Sequence, residues 1–442
     1  MERMKIKLKG IIMLILLSAG FVSASAQKES RFLSLNEAVS TALAGNKQAK
    51  VSKLEQQIAA SDYKKSDAFF LPRLSASYTA MSTNDPLNVF GFKLQQQSVT
   101  AQDFNPALLN NPSAKSDYNA KVDLMVPLVN VDQLYMRKAL SAQKEAAQYG
   151  ATRTKDYITF EVKKAYLQLQ LAYQQKKVLE EAFNTATSVY NSTERFFEQG
   201  LIRKPDVLNA KMHLSGVETK LEKTKSNISN ASDYISVLMG QSTGTDYQVE
   251  DPSLSGATDK TLPAERADFK AMEKAVQASD MMVRSARMSL LPRLNAFGNY
   301  QLNDSKLMGF NSNSYLVGVQ LSWNIFNGTQ TKHTIQSQKL TSDKLKEQFS
   351  SQVMQAQMEW NQTKRDLSDI SFELRQESDI VQQASEALRI IKDRYEQGLE
   401  KTTDLLVAQT QLSEQQLNYA ATVYKQNLTA AYLDFITSTN TY

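Results

Sequence analysis

Side chains able to do covalent or metal chemistry are few in this chain of 442 residues. There is no cysteine, hence no thiolate nucleophile, no disulfide and no thiol for a lipid anchor. The two histidines, His213 and His333, stand far apart, and neither has a partner at metal-ligand spacing. Each reads as a solvated residue on a helix. No Gly-x-Ser-x-Gly, His-Glu-x-x-His or phosphate-cradling glycine motif occurs. Carboxylates are plentiful but alternate with lysines along helical stretches, the pattern of a solvated face. These residues predict no catalytic site, no metal site and no cofactor.

One constellation does recur. Glu198-Gln199-Gly200-Leu201 returns as Glu396-Gln397-Gly398-Leu399, each copy preceded by aromatics (Phe196 and Phe197, then Tyr395) and followed by an acid (Asp206, then Asp404). Leu71-Pro72-Arg73-Leu74 likewise returns as Leu291-Pro292-Arg293-Leu294. The echoes lie about 200 residues apart, far beyond the roughly 20 to 50 residues of a solenoid repeat. The chain therefore reads as an internal duplication, 27–250 and 251–442, with the same order of parts in each half. Gly200 and Gly398 suit helix C-terminal caps, and Asp206 and Asp404 suit the positive end of the next helix. Helix turning alone does not explain why apolar Leu201 and Leu399 stand at an exposed tip, and such a residue suggests a docking contact.

Each tip joins two helices. In the first half, Leu35, Ala38, Val39, Ala42 and Leu43 follow helical spacing, and the helix they begin must end near Leu71, ahead of Pro72. From about Val131 to Phe197 only Gly150 interrupts helical sequence. Val162, Tyr166, Leu169, Tyr173, Phe183, Ala186 and Tyr190 there form a narrow seam of coiled-coil type. A return helix runs from Pro205 to Met239 and stops at Gly240. The second half repeats the plan, with a helix from about Arg266, a long helix from about Thr329 to Tyr395, and a return helix to about Ile436. Between first helix and long helix, each half carries period-two alternation. Four strands are predicted, at about 72–82, 120–129, 292–303 and 314–326. The polar segment Thr83 to Asn119 separates the first two.

The first 26 residues read as a cleaved secretory signal. Arg3, Lys5, Lys7 and Lys9 precede a short apolar run from Gly10 to Val22, and Ala24-Ser25-Ala26 offers a cleavage site. Removing it lowers the formal charge from +5 to about +2, so basicity is no argument for nucleic-acid binding. No later stretch reaches the roughly 18 to 20 apolar residues of a transmembrane helix, so any membrane insertion must use strands.

Arithmetic narrows the architecture. A helix of about 66 residues spans roughly 100 Å at 1.5 Å per residue. The return helix and the helix before the strands together roughly equal one long helix. Each half thus forms either an even wall, one long helix beside two stacked short ones, or a plain antiparallel coiled coil. The strands have the length of tilted membrane strands, one apolar face, and flanking aromatics such as Tyr78, Tyr118, Tyr300, Tyr315 and Trp323. Four strands cannot close a barrel, and open edges in hydrocarbon would cost several kcal/mol per unpaired group. Either the strands form a small soluble sheet, or two, three or four copies share one barrel. If copies surround a pore, Asp404 or Asp206 would form a ring of like charge, a device that selects cations and can gate.

With the duplicated halves, the Leu-Pro-Arg-Leu junctions, the tip pattern aromatic-x-x-Gly-Leu-x4-Asp-x-Leu and Asn327-Gly328 after the fourth strand, the chain resembles the TolC-like outer-membrane efflux proteins over essentially its whole mature length. The resemblance implies a mainly α fold: duplicated antiparallel hairpins forming a trimeric α-barrel across the periplasm, with four strands per chain in a shared twelve-stranded barrel in the outer membrane. It implies an exit duct for efflux or secretion, surrounded by outer-membrane lipid. Its partners would be a periplasmic adaptor protein and an inner-membrane pump such as an RND or ABC transporter. Gly200, Leu201, Gly398 and Leu399 would be adaptor contacts, and Asp404, with Asp206, the pore constriction. Two features depart from the family pattern. The junction after the second strand reads Val129-Asn130-Val131-Asp132, and Val407 stands where well-known members carry a second acid, which predicts weaker cation binding at the tip. The alternative is a periplasmic coiled-coil scaffold that opens no pore.

Overall fold

The computed structural model describes residues 30–254 and 260–439. The proposed signal, 1–26, lies outside them. The described chain divides into two compact units, and these are not the two sequence halves. One unit comprises the residues up to 50 with 155–262 and 359–438; the other comprises 51–154 and 263–358, with a short C-terminal stretch. Each half of the duplication feeds both units.

The first unit is built on long helices. α1 (Leu35–Gly45) and α2 (Lys47–Lys65) follow the short strand β1 (Ser30–Phe32). α5 (Val131–Glu198) and α6 (Lys204–Met239) are the first long helix and its return, and α8 (Gln330–Glu396) and α9 (Thr402–Ile436) are the second pair; most of α2 and the first parts of α5 and α8 belong to the second unit. The predicted seam is where the core lies: Val162, Tyr166 and Leu169 of α5 are buried with Ala38, Ala42, Ile235 and Met239. β1 pairs in parallel with β4 (Asp246–Gln248), and tyrosines bolt that pair to the helices. The Tyr166 hydroxyl donates to the Leu33 carbonyl at 3.0 Å, and that of Tyr173 donates to the Tyr247 carbonyl at 2.9 Å. Satisfying each hydroxyl is what allows so large a ring to be buried.

The predicted single helix from Leu35 is broken at Asn46. Its backbone leaves helical geometry, and its side-chain oxygen accepts from the N–H groups of Gln48 (2.8 Å) and Ala49 (3.3 Å), capping α2. Its amide donates to the Leu238 carbonyl at 2.8 Å. The break serves a close approach that periodicity does not reveal. A Cβ on Gly45 would lie 2.1 Å from the Met239 carbonyl oxygen, and one on Gly240 would lie 2.4 Å from that of Gly45.

The second unit contains a four-stranded antiparallel sheet in the order β2 (Arg73–Thr83), β3 (Lys115–Val129), β5 (Arg293–Asp304), β6 (Ser312–Ser322). The central pair, β3 and β5, joins the two halves of the duplication. Register turns the alternation into faces. Leu74, Leu124, Gly298 and Val317 form one row, and Ala76, Val122, Tyr300 and Tyr315 another, all on one apolar side. Ser77, Lys121, Gln301 and Ser314 form a row of the opposite side, where Gln301 donates to Ser314 at 3.0 Å. Both outer edges are unpaired among the described residues, and Val317 is 69% exposed.

Two strand limits differ from expectation. β3 begins at Lys115, because β2 continues to Thr83 and pairs it, although Lys115-Ser116-Asp117 shows no alternation. β6 stops at Ser322, since Pro292, next to its partner Arg293, has no N–H to extend the ladder. Trp323 instead donates its indole N–H to the Leu290 carbonyl at 2.9 Å. The polar segment after β2 also folds, forming α3 (Pro86–Gln95) and α4 (Pro106–Asn110) at the end of the sheet. Buried Asp117 accepts there from Asn303 and from Gln96, both at 2.8 Å. α7 (Ala267–Met288) precedes β5.

Candidate functional site

The two tips share the same glycine turn. α5 ends at Glu198; the Gly200 N–H donates to Phe197 and the Leu201 N–H to Phe196, both at 2.9 Å. α8 ends at Glu396; the Gly398 N–H donates to Tyr395 and the Leu399 N–H to Arg394, again at 2.9 Å. Gly200 has φ +73° and Gly398 φ +74°, and a Cβ at either would meet nothing within 4 Å. Backbone handedness rather than space demands glycine here. Leu201 and Leu399 are 68% and 63% exposed, so neither tip leucine is a core residue.

The first unit brings both tips together. Val189, Ala210, Leu405 and Leu406 are buried in one apolar cluster with Tyr190, Leu388, Ile391 and Tyr395 against it. Phe196 and Tyr395 meet edge to face, their ring centroids 6.4 Å apart. The Thr402 hydroxyl, buried at the start of α9, reaches Tyr395 at 3.5 Å.

The two tip acids differ. Asp206 is half-buried and accepts from the Arg203 N–H at 3.2 Å, so it caps its own helix. Asp404 is exposed at the start of α9. Val407, one turn further, is 65% exposed in the place of a second acid.

The expectation that both histidines are solvated fails for His213. His333 is exposed. His213 is half-buried and lines an open groove of about 600 Å³ between α6 and α9, beside Thr403, Leu406, Val407, Thr410 and Glu414. Its Nε2 is buried without a hydrogen-bond partner in the described structure. Burial pushes the imidazole below its ordinary pKa, and the Lys220 charge adds to the shift. The groove comes from the crossing of helices distant in sequence, so no local spacing announces it. Among the described residues no group of three or more His, Asp and Glu could hold a metal ion. No described helix is long and apolar enough to cross a membrane.

On the sheet, Lys121 and Asp123 pair at 2.8 Å on the polar face. Where the strands enter the helices, Arg293 donates to the buried Asp132 carboxylate at 2.6 Å, and Asn130 donates to Asn295 at 3.1 Å. The repeated Leu-Pro-Arg-Leu motif marked Arg293 as a junction residue; its partner Asp132 carried no signal of its own.

The model of the outer membrane efflux protein family matches residues 38–241 and 260–438, that is, both halves of the duplication. Among solved structures, the fold is similar to the Campylobacter jejuni CmeC outer membrane channel (TM-score 0.76, 17% identity, 91% of this chain and 85% of that one). It is also similar to the Vibrio cholerae outer membrane protein VceC (0.78, 17%, 91% and 95%) and to the open state of the Neisseria gonorrhoeae MtrE outer membrane channel (0.73, 16%, 92% and 91%). A comparison with curated proteins finds no match in sequence. With the family matched across both repeats and the fold shared along nearly its whole length, the chain belongs to the outer membrane efflux protein family.

Proposed function

We propose that three copies of the chain close one twelve-stranded barrel and one helical duct, and that the duct opens when a periplasmic adaptor, fed by an inner-membrane pump of RND or ABC type, docks on the tips. The observation that carries this reading is a sheet with one apolar face and two unpaired edges. Such edges are tolerated in hydrocarbon only when another strand closes them. In this reading residues 1–26 are a cleaved signal that exports the chain. The protein is a conduit and performs no catalysis, the energy coming from the pump. Exposed Leu201 and Leu399, each held out by a left-handed glycine, support the adaptor contact, with Gly200 and Gly398 shaping it. Exposed Asp404 supports a constriction ring, whereas the cap made by Asp206 favours a structural part for that residue.

The test is the molar mass of the mature protein in mild detergent, by light scattering corrected for bound detergent, followed by conductance in planar bilayers. A conducting species of three chains is expected. A monomer that stays soluble without detergent would overturn the duct and leave a periplasmic scaffold.

A further inference from the structure

We infer that Arg73 forms an anion-attracting ring on the inner wall where the barrel strands meet the helices, because the seam between copies lacks the acid that neutralises its twin, Arg293. The inference rests on the trimer reading above.

The two repeats define equivalent positions through the ladder itself. Arg73 lies opposite Met125 in the first strand pair, and Arg293 lies opposite Ser322 in the second. Arg73 thus corresponds to Arg293, and Met125 to Ser322. Counting on from Met125 and Ser322 matches Asn130 with Asn327, an identical residue, and Asp132 with Thr329, at the starts of α5 and α8.

Within one chain, the seam between repeats is β3 against β5, and there Asp132 neutralises Arg293 at 2.6 Å. Closure of the barrel sets β6 of one copy against β2 of the next, which preserves the antiparallel alternation. Carrying the β3–β5 register across puts Leu321 opposite Tyr78 and Val319 opposite Ala80 of the next copy. Both pairs then lie on the apolar face, as a barrel wall requires. At that seam the place of Asp132 is taken by Thr329, a hydroxyl that cannot balance a charge.

Arg73 is exposed and makes no hydrogen bond or ion pair among the described residues. It stands on the polar face in line with Ser75 and Ser77. The acid one row along on that face, Asp123, is already held by Lys121. Three copies would thus set three uncompensated guanidiniums around the water-filled interior. Such a ring favours anions, and the planar fork of arginine suits carboxylate, sulfate and phosphate groups in particular.

The test uses the purified full-length protein in planar bilayers under a potassium chloride gradient, reading the chloride-to-potassium permeability ratio from the reversal potential. Arg73→Gln is expected to lower that ratio by about twofold or more. The double variant Asp132→Asn with Arg293→Gln removes a neutral pair and should leave the ratio in place. Thr329→Asp should lower the ratio as Arg73→Gln does and raise the temperature at which the trimer dissociates, a gain that vanishes when Arg73→Gln is added. A conducting trimer whose ratio ignores Arg73→Gln would overturn the ring alone, as would a Thr329→Asp stability gain that persists without Arg73. A wild-type protein that neither trimerises nor conducts would overturn both the ring and the reading beneath it.

Discussion

Phe196 and Tyr395 stand edge to face with ring centroids 6.4 Å apart, and this contact joins the tip of the first hairpin to the tip of the second. The two tips are therefore one packed body, seated on the cluster around Val189, Leu405 and Leu406. An aromatic pair of this geometry contributes about 1 kcal/mol beyond its burial. Tyr395→Ala removes the ring and the contact with Thr402 together. It is expected to loosen the tips, raising single-channel conductance without adaptor while the oligomer stays intact. Unchanged conductance would mean that the aromatic pair does not hold the closed state.

The exposed tip leucines are the sites at which folding and docking separate. Leu201→Asp and Leu399→Asp place a charge where 68% and 63% of the side chain already meets water, so stability should change by less than about 0.5 kcal/mol. Export should nonetheless be lost, read as hypersusceptibility of cells carrying a folded, membrane-located protein. Normal drug resistance in both variants would count heavily against the docking contact.

Asp206 and Asp404 should respond differently to loss of charge. Asp206→Asn leaves a capping side chain in place, so the tip should keep its fold and its cation preference. Asp404→Asn removes an exposed charge and should lower the cation preference of the closed tip in bilayer recordings, with no shift in melting temperature. Equal effects from both variants would contradict the division of labour drawn from their hydrogen bonds.

His213 predicts an acid-sensitive tip. Its folded pKa is depressed by burial, with Lys220 adding to the effect, so the folded state favours the neutral ring. The stability linked to this group is complete above its unfolded value of about 6.5 and is lost as pH falls from there through the lower folded value. Hydrogen-exchange protection in the first turns of α6, taken relative to the intrinsic exchange rate at each pH, should therefore be lower at mildly acidic pH than at neutral pH. His213→Gln should flatten that dependence; an equally steep profile in the variant would assign the sensitivity elsewhere.

Gly240 ends α6 at φ +71°, with the Gly45 carbonyl where a Cβ would sit. Gly240→Ala adds left-handed strain of about 1–2 kcal/mol, and the clash adds more. A lower melting temperature is expected, whereas Gly200→Ala, with open space around it, should cost only the strain term. Equal losses would show that the chain relaxes the α1–α6 approach at little cost.

Some of this was legible residue by residue. The left-handed glycines at 200 and 398, the leucines after them and the seam through Val162, Tyr166 and Leu169 all follow from local rules of period and capping. The alternation in β2 and β5 was equally plain, because their apolar and polar residues differ sharply. The start of β3 was not, since Lys115-Ser116-Asp117 pairs only because β2 extends to meet it. Asn46 and His213 were missed for one reason: each owes its state to a helix far along the chain, and no window centred on either residue contains that helix.

Sequence by itself determined the long helices with their glycine stops, the alternating cores of the four sheet strands and the duplication, because helix period, strand alternation and turn chemistry act over a few neighbouring residues. It also carried the resemblance through the repeated tip and junction motifs. Only the tertiary structure decided that the repeats are divided across two units, that β3 pairs with β5, and that Asp132 neutralises Arg293 while Arg73 has no such partner. Those outcomes depend on which surfaces meet after the chain has folded back on itself, and on a register that pairs residues more than 150 positions apart.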